Sequence, residues 1–170
     1  MKLVKLTALS SLFFVFVFSI SSCEKDSEKK KITDFSKTGI ALTGAQETPA
    51  VSSAATGSLD VFYTRETRIL TYKVQWSSLA DSVSGMHIHG LAPVGFAAGI
   101  LQNIVAASNA VYPQKTSGKF TYAKSGSLSG TVLIDGVLFK EESLLNGLYY
   151  LNIHNATYPG GEIRAQITFN

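Results

Sequence analysis

Cysteine is almost missing from this chain: its 170 residues contain one, Cys23. That excludes an intrachain disulfide framework and any cysteine-based zinc cluster. Histidine is nearly as scarce, with three in all, His87, His89 and His154. Neither a Gly-x-x-x-x-Gly-Lys-Ser/Thr loop nor a Gly-x-Gly-x-x-Gly turn occurs, and there is no nucleophile elbow, which removes the chemistries those motifs carry. Net charge is missing where a nucleic acid would need it. From Thr38 to Asn170 there are eight Lys or Arg and eight Asp or Glu, so the overall +3 comes from the first 37 residues. A phosphate backbone finds no electrostatic footing on such a domain, and no nucleic-acid partner is expected.

Residues 1–23 do have a pattern. Lys2 and Lys5 precede an apolar run from Leu6 to Ile20, followed by small residues. This is the order of a secretory signal peptide. The run is shorter than the roughly 20 residues a membrane-spanning helix needs. Ile20-Ser21-Ser22-Cys23 resembles the bacterial lipobox, which implies a signal over residues 1–22 and lipidation of Cys23. Several acyl chains, each contributing ~0.8 kcal/mol per buried methylene, anchor a protein stably without crossing the bilayer. The expectation is a bacterial outer-membrane lipoprotein on the periplasmic side or the cell surface. Residues 23–37 then read as the lipidated cysteine and a tether, since nine of the fourteen residues 24–37 are charged and only Ile32 and Phe35 are bulky and apolar. Such a stretch buries too little surface to offset its ordering entropy.

Residues 38–170 are the size of one domain with its own core. Apolar residues alternate with polar ones at period two. In 69–76, Leu70, Tyr72, Val74 and Trp76 alternate with Thr71, Lys73 and Gln75; in 162–169, Ile163, Ala165, Ile167 and Phe169 do the same. Weaker runs occur at 39–43, 57–63, 84–91, 118–123, 127–134 and 148–155. Each predicts a half-buried strand. Residues 65–67 and 124–126 supply hairpin turns, and Tyr158-Pro159-Gly160-Gly161 predicts a type II turn. Residues 139–147 alone look helical, a short segment stopped by Asn146 and Gly147, with Glu141 and Glu142 on a solvated face. The prediction is an all-β, Greek-key β-sandwich of about eight antiparallel strands with one short helix.

Strand parity places the histidines. His87 and His89 share one face, opposite Met86 and Ile88, and His154 shares a face with Asn152 and Tyr150, opposite Tyr149, Leu151 and Ile153. All three imidazoles converge if the two strands are neighbours.

Three blocks, ALTGAQETPAV at 41–51, HIHG at 87–90 and GLYYLNIHNATYPGGEIRAQI at 147–167, together resemble the signature blocks of the chordin-type (CHRD) domain family. The resemblance spans residues 39–168. It departs at Asn155, where the family usually has threonine, and at Ala165, where glycine is common. The family occurs in animal chordin, a secreted antagonist of bone morphogenetic proteins, and in bacterial exported proteins, and no established reaction comes with it. The matching positions are Glu47, Pro49, His87, His89, Gly90, Asn152, His154, Pro159, Gly160, Gly161, Glu162 and Arg164.

The polar members admit three readings. In the first, Glu47, the imidazoles, Asn152, Glu162 and Arg164 form a hydrogen-bonded cluster that pins loop 90–99 and the last hairpin. In the second, His87, His89 and His154 hold one copper or zinc ion, with Glu47 or Glu162 as outer acceptors. A likeness to the histidine pair of copper/zinc superoxide dismutases stops there, because no bridging ligand or zinc loop follows. In the third, loop 91–99 is a contact patch for an extracytoplasmic protein or ligand; tucked in, as expected here, it is only core. The sequon Asn155-Ala156-Thr157 is expected to be silent in a bacterial chain. The functional expectation is a membrane-anchored, non-catalytic binding or structural module, with metal binding, and redox activity through that metal, as the alternative.

Overall fold

The computed structural model describes residues 33–105 and 123–169. Cys23, the signal, residues 24–32 of the tether and residues 118–122 of the strand expected at 118–123 lie outside them. Among the described residues there are eight strands: β1 (Asp34–Thr43), β2 (Thr56–Thr64), β3 (Ile69–Ser77), β4 (Val83–Gly90), β5 (Ile100–Val105), β6 (Gly126–Leu133), β7 (Tyr149–Asn155) and β8 (Ile163–Gln166). One short helix, α1 (Glu141–Leu145), follows β6, and a 3-10 turn at Gly44–Gln46 follows β1.

All strand pairs are antiparallel, in the order β5-β4-β7-β8-β1-β2-β3-β6. The pairing of β6 with β3 and of β7 with β4 joins strands distant in sequence, the Greek-key feature. The two layers of the expected sandwich are continuous. They join where β8 meets β1 through a single register, Thr43↔Arg164. There the sheet curls until the inward faces of β2 and β3 meet those of β4, β7 and β8. Leu59, Val61, Tyr63, Leu70, Val74 and Trp76 from one half pack into the same core as Met86, Ile88, Leu151, Ile153, Ile163 and Ala165 from the other. Burying each large apolar side chain contributes about 1.5–3 kcal/mol.

Several sequence expectations shift. β1 starts at Asp34, so residues 34–37 belong to the sheet rather than the tether. Phe35 is the cause: its ring stacks on Tyr63 at 6.1 Å and meets Phe169 edge-on at 6.0 Å, so one aromatic recruits a charged neighbourhood into register. β5 has no alternating pattern in ILQNIV and was not anticipated from it. The 158–161 turn closes, with Gly161 N–H donating to the Tyr158 carbonyl at 3.1 Å, but the positive φ (120°) falls on Gly161 and not on Gly160, so it is not type II. Glu141 is not merely solvated: it accepts from Arg65 Nε and from the Tyr63 hydroxyl, both at 2.7 Å. Burial and the Glu141 carboxylate push the Tyr63 hydroxyl up to about 12. α1 ends as expected, with Gly147 at φ 67°.

Candidate metal-binding centre on the outer face of the sheet

The inward residues of β4, β7 and β8 are core, so their alternate residues form the sheet's other face. Register brings them side by side: His87 lies opposite Asn152, His89 opposite Tyr150, and Gly85 opposite His154. On the far side Asn152 faces Arg164, and Tyr150 faces Gln166. This face is polar yet covered. His89, Asn152, His154, Arg164 and Gln166 are all buried, and Glu47 reaches them from the turn after β1. Gly85 makes room, since a Cβ there would lie 3.2 Å from His87 Cε1 and 3.3 Å from its Nε2.

Each of two histidines is oriented by a backbone carbonyl. His89 Nδ1–H donates to Ala98 O at 2.9 Å, and His154 Nδ1–H donates to Pro159 O at 3.0 Å. Because a carbonyl only accepts, the ring proton of each neutral imidazole sits on Nδ1 and Nε2 carries a lone pair. Both lone pairs point to the same place. Nε2 of His89 lies 3.0 Å, and Nε2 of His154 2.8 Å, from Asn152 Oδ1. Nδ1 of the half-buried His87 is 3.0 Å from His154 Nε2. One ring nitrogen from each of the three histidines falls within 4.8 Å of the others. A tetrahedral ion bound at about 2.0–2.1 Å needs nitrogens roughly 3.4 Å apart, a spacing to which these, within 4.8 Å of one another, come near. Burial, then the neighbouring His154 and His89, lower His87 to about 4, and burial lowers His154. Both rings are therefore neutral, as ligands must be, at physiological pH.

Around the triad runs a stack of planar groups. The His89 ring lies parallel to Tyr150, centroids 4.7 Å apart and 2° between planes, and the Arg164 guanidinium sits 3.4 Å from the centroid of the Tyr150 ring. Arg164 also donates to Phe96 O at 2.9 Å, to Gln166 Oε1 at 2.9 Å and to Thr48 Oγ1 at 3.4 Å. Gln166 donates to Ala92 O at 2.8 Å and Gly147 O at 2.6 Å. Loop 91–99 thus turns its Ala92, Phe96 and Ala98 carbonyls inward. Its larger apolar side chains point outward, with Leu91 52%, Val94 68% and Phe96 64% exposed, while Ala92 alone is buried, contrary to the expectation that the loop is tucked in.

Glu47 occupies the second flank. Burial raises its carboxyl to about 7, against the lowering effect of Arg164, the Asn152 side chain and the Thr48 N–H. Its Oε1 is buried and has no hydrogen-bond partner. Glu47 Oε1 and Asn152 Nδ2 both press against the bare Cα of Gly161: a Cβ there would overlap the first and lie 2.8 Å from the second.

The sequence grouped Glu162 with this cluster, and the structure places it elsewhere. Its carboxylate accepts from Ser53 Oγ at 2.6 Å, from Ala80 N–H at 3.0 Å and from the Asn155 amide, none of which touches a histidine. Parity alone would put Glu162 on the same side as Arg164, but Glu162 precedes the first residue of β8, where the alternation of the strand no longer applies. Asn155 is engaged in the same way: it serves Glu162 and accepts from Tyr158 N–H at 2.8 Å, leaving His154 to Pro159. Tyr150 and Gln166 were overlooked as site residues, though each is two residues from one that was named and shares its face.

A family model for the CHRD domain matches residues 38–167. The chain belongs to the CHRD domain family. No curated protein and no solved structure matches it. In this CHRD domain, the family's histidine and asparagine motifs are brought onto neighbouring strands, β4 and β7, and meet on one face.

Proposed function

We propose that this chain is a lipid-tethered, extracytoplasmic CHRD-domain module that binds one copper or zinc ion through His87, His89 and His154, without catalysing a reaction. The observation that carries this reading is the pair of carbonyl-locked imidazoles, whose Nε2 lone pairs converge on one point. Both Nε2 atoms face the Asn152 amide, and outer carbonyls that fix Nδ1–H are the usual support of a metal-bound imidazole. Three imidazole nitrogens, with no thiolate or carboxylate among them, suit zinc or copper.

Protein exposed to zinc or copper and then gel-filtered is expected to carry close to one ion per chain by elemental analysis. His89→Ala is expected to lower affinity by more than the roughly 10–100-fold that losing an outer-shell partner costs. A metal-free wild-type protein, with His89→Ala merely less stable, would leave the hydrogen-bonded cluster as the better account. The tether is tested separately: Cys23→Ser should move the protein from the detergent phase to the aqueous phase on phase partition, because the acylated cysteine is gone. The outward apolar side chains of Leu91, Val94 and Phe96 favour a protein contact beside the metal site.

A further inference from the structure

Asn152 stands between two groups with opposing demands. On one side are the Nε2 atoms of His89 and His154, 3.0 and 2.8 Å from its Oδ1. On the other is Glu47, which its side chain hydrogen-bonds. A primary amide has two ends of nearly the same size, so it can reverse in place. With the carbonyl toward the imidazoles, lone pairs meet lone pairs unless positive charge lies between them. Reversed, the NH2 group donates to both imidazoles, but its carbonyl then faces Glu47. That arrangement is satisfied only when Glu47 is a carboxylic acid and donates.

We propose, resting on the metal reading above, that Asn152 is a two-position relay linking metal occupancy to the protonation of Glu47. With the site empty, the Asn152 NH2 donates to His89 and His154, and neutral Glu47 donates its O–H to the Asn152 carbonyl. When a divalent ion binds the imidazoles, the carbonyl turns toward the positive charge and the NH2 donates to Glu47. Glu47 releases its proton to solvent and becomes a carboxylate, so uptake of one ion expels one proton there. Asn152 is in this sense a positioning residue, and Glu47 the proton store.

The surroundings fit both states of Glu47. Arg164, from β8, is the charged group that faces it and steadies the carboxylate, while burial favours the acid. The titratable groups beyond Asn152 are His89 of β4 and His154 of β7. Glu47 also lines a cleft of about 200 Å³ with Pro49, Val51, Tyr158 and Gly161, which gives the proton a way out.

Calorimetric titration of the full chain in detergent with zinc chloride, in buffers of different ionisation heat, tests this. Because the proton must leave before zinc is held tightly, affinity rises with pH while Glu47 is an acid and levels off once it is ionised. The expected slope approaches tenfold per pH unit on the acid side, with nearly one proton released per zinc beyond the imidazole contribution. In Glu47→Gln zinc still binds, that proton is no longer released, and the slope falls to the imidazole part. An infrared difference spectrum of the wild-type chain checks the same step without a variant: the protonated-carboxyl band should vanish as zinc is added. If wild type and Glu47→Gln release the same number of protons and the band is unmoved, the relay is wrong while the metal site stands. If wild type takes up no zinc, both fail together.

Discussion

Glu162→Ala is expected to cost about 3–5 kcal/mol of folding stability, the range seen when a buried polar partner is removed and its neighbours are left behind. Glu162 is 0% exposed, and its carboxylate gathers three segments that the strands do not join directly. Ser53 comes from the segment before β2, Ala80 from the connection between β3 and β4, and Asn155 from the end of β7. Truncation strands the Ala80 N–H, a desolvation penalty of about 1–3 kcal/mol, and leaves the Asn155 amide only the Asp81 carbonyl at 3.5 Å. Against a total stability of roughly 5–15 kcal/mol this is a large fraction. For a domain of this size it corresponds to a fall in melting temperature of about 10 °C or more. A urea or thermal denaturation series measures it, and a loss under about 1 kcal/mol would mean that water replaces the carboxylate at little penalty. Metal binding is not expected to change in the folded fraction, because no Glu162 contact reaches a histidine.

The second large effect is expected at Arg164. Arg164→Met keeps most of the apolar stem but removes the guanidinium, which is 2% exposed in its residue and lies over Tyr150. Phe96 O and Gln166 Oε1 lose their donor, and Glu47 loses the one cation facing it. The expected loss is again about 3–5 kcal/mol, since one partner of a buried network is taken and the others remain. Its local signature differs from that of Glu162→Ala. Loop 91–99 is held by three inward carbonyls, and freeing the one at Phe96 should expose the loop to proteolysis before global unfolding. Limited digestion that cuts elsewhere first, or leaves the rates unchanged, would contradict the account of how this loop is held.

These residues also show how far the chain could be read in advance. Period two in 69–76 and 162–169 gave strands, and the same parity put His87 with His89 and His154 with Asn152 and Tyr150. All of that holds, because successive side chains in an extended chain must point to opposite sides. Parity even contained Tyr150 and Gln166 as site members, one step from the residues that were named. It was silent where alternation failed, at β5, and where one aromatic outweighed many charges, at Phe35.

What the amino-acid order alone determined was which side chains share a face of a strand and that the fold is all-β, both consequences of local backbone geometry. Only the tertiary structure decided that β4 lies against β7, that Glu162 serves a separate latch with Ser53, Ala80 and Asn155, and that loop 91–99 turns three carbonyls inward and Leu91, Val94 and Phe96 out. The reason is physical: a buried polar group must find a partner wherever the folded chain supplies one, and those partners come from residues far apart in sequence.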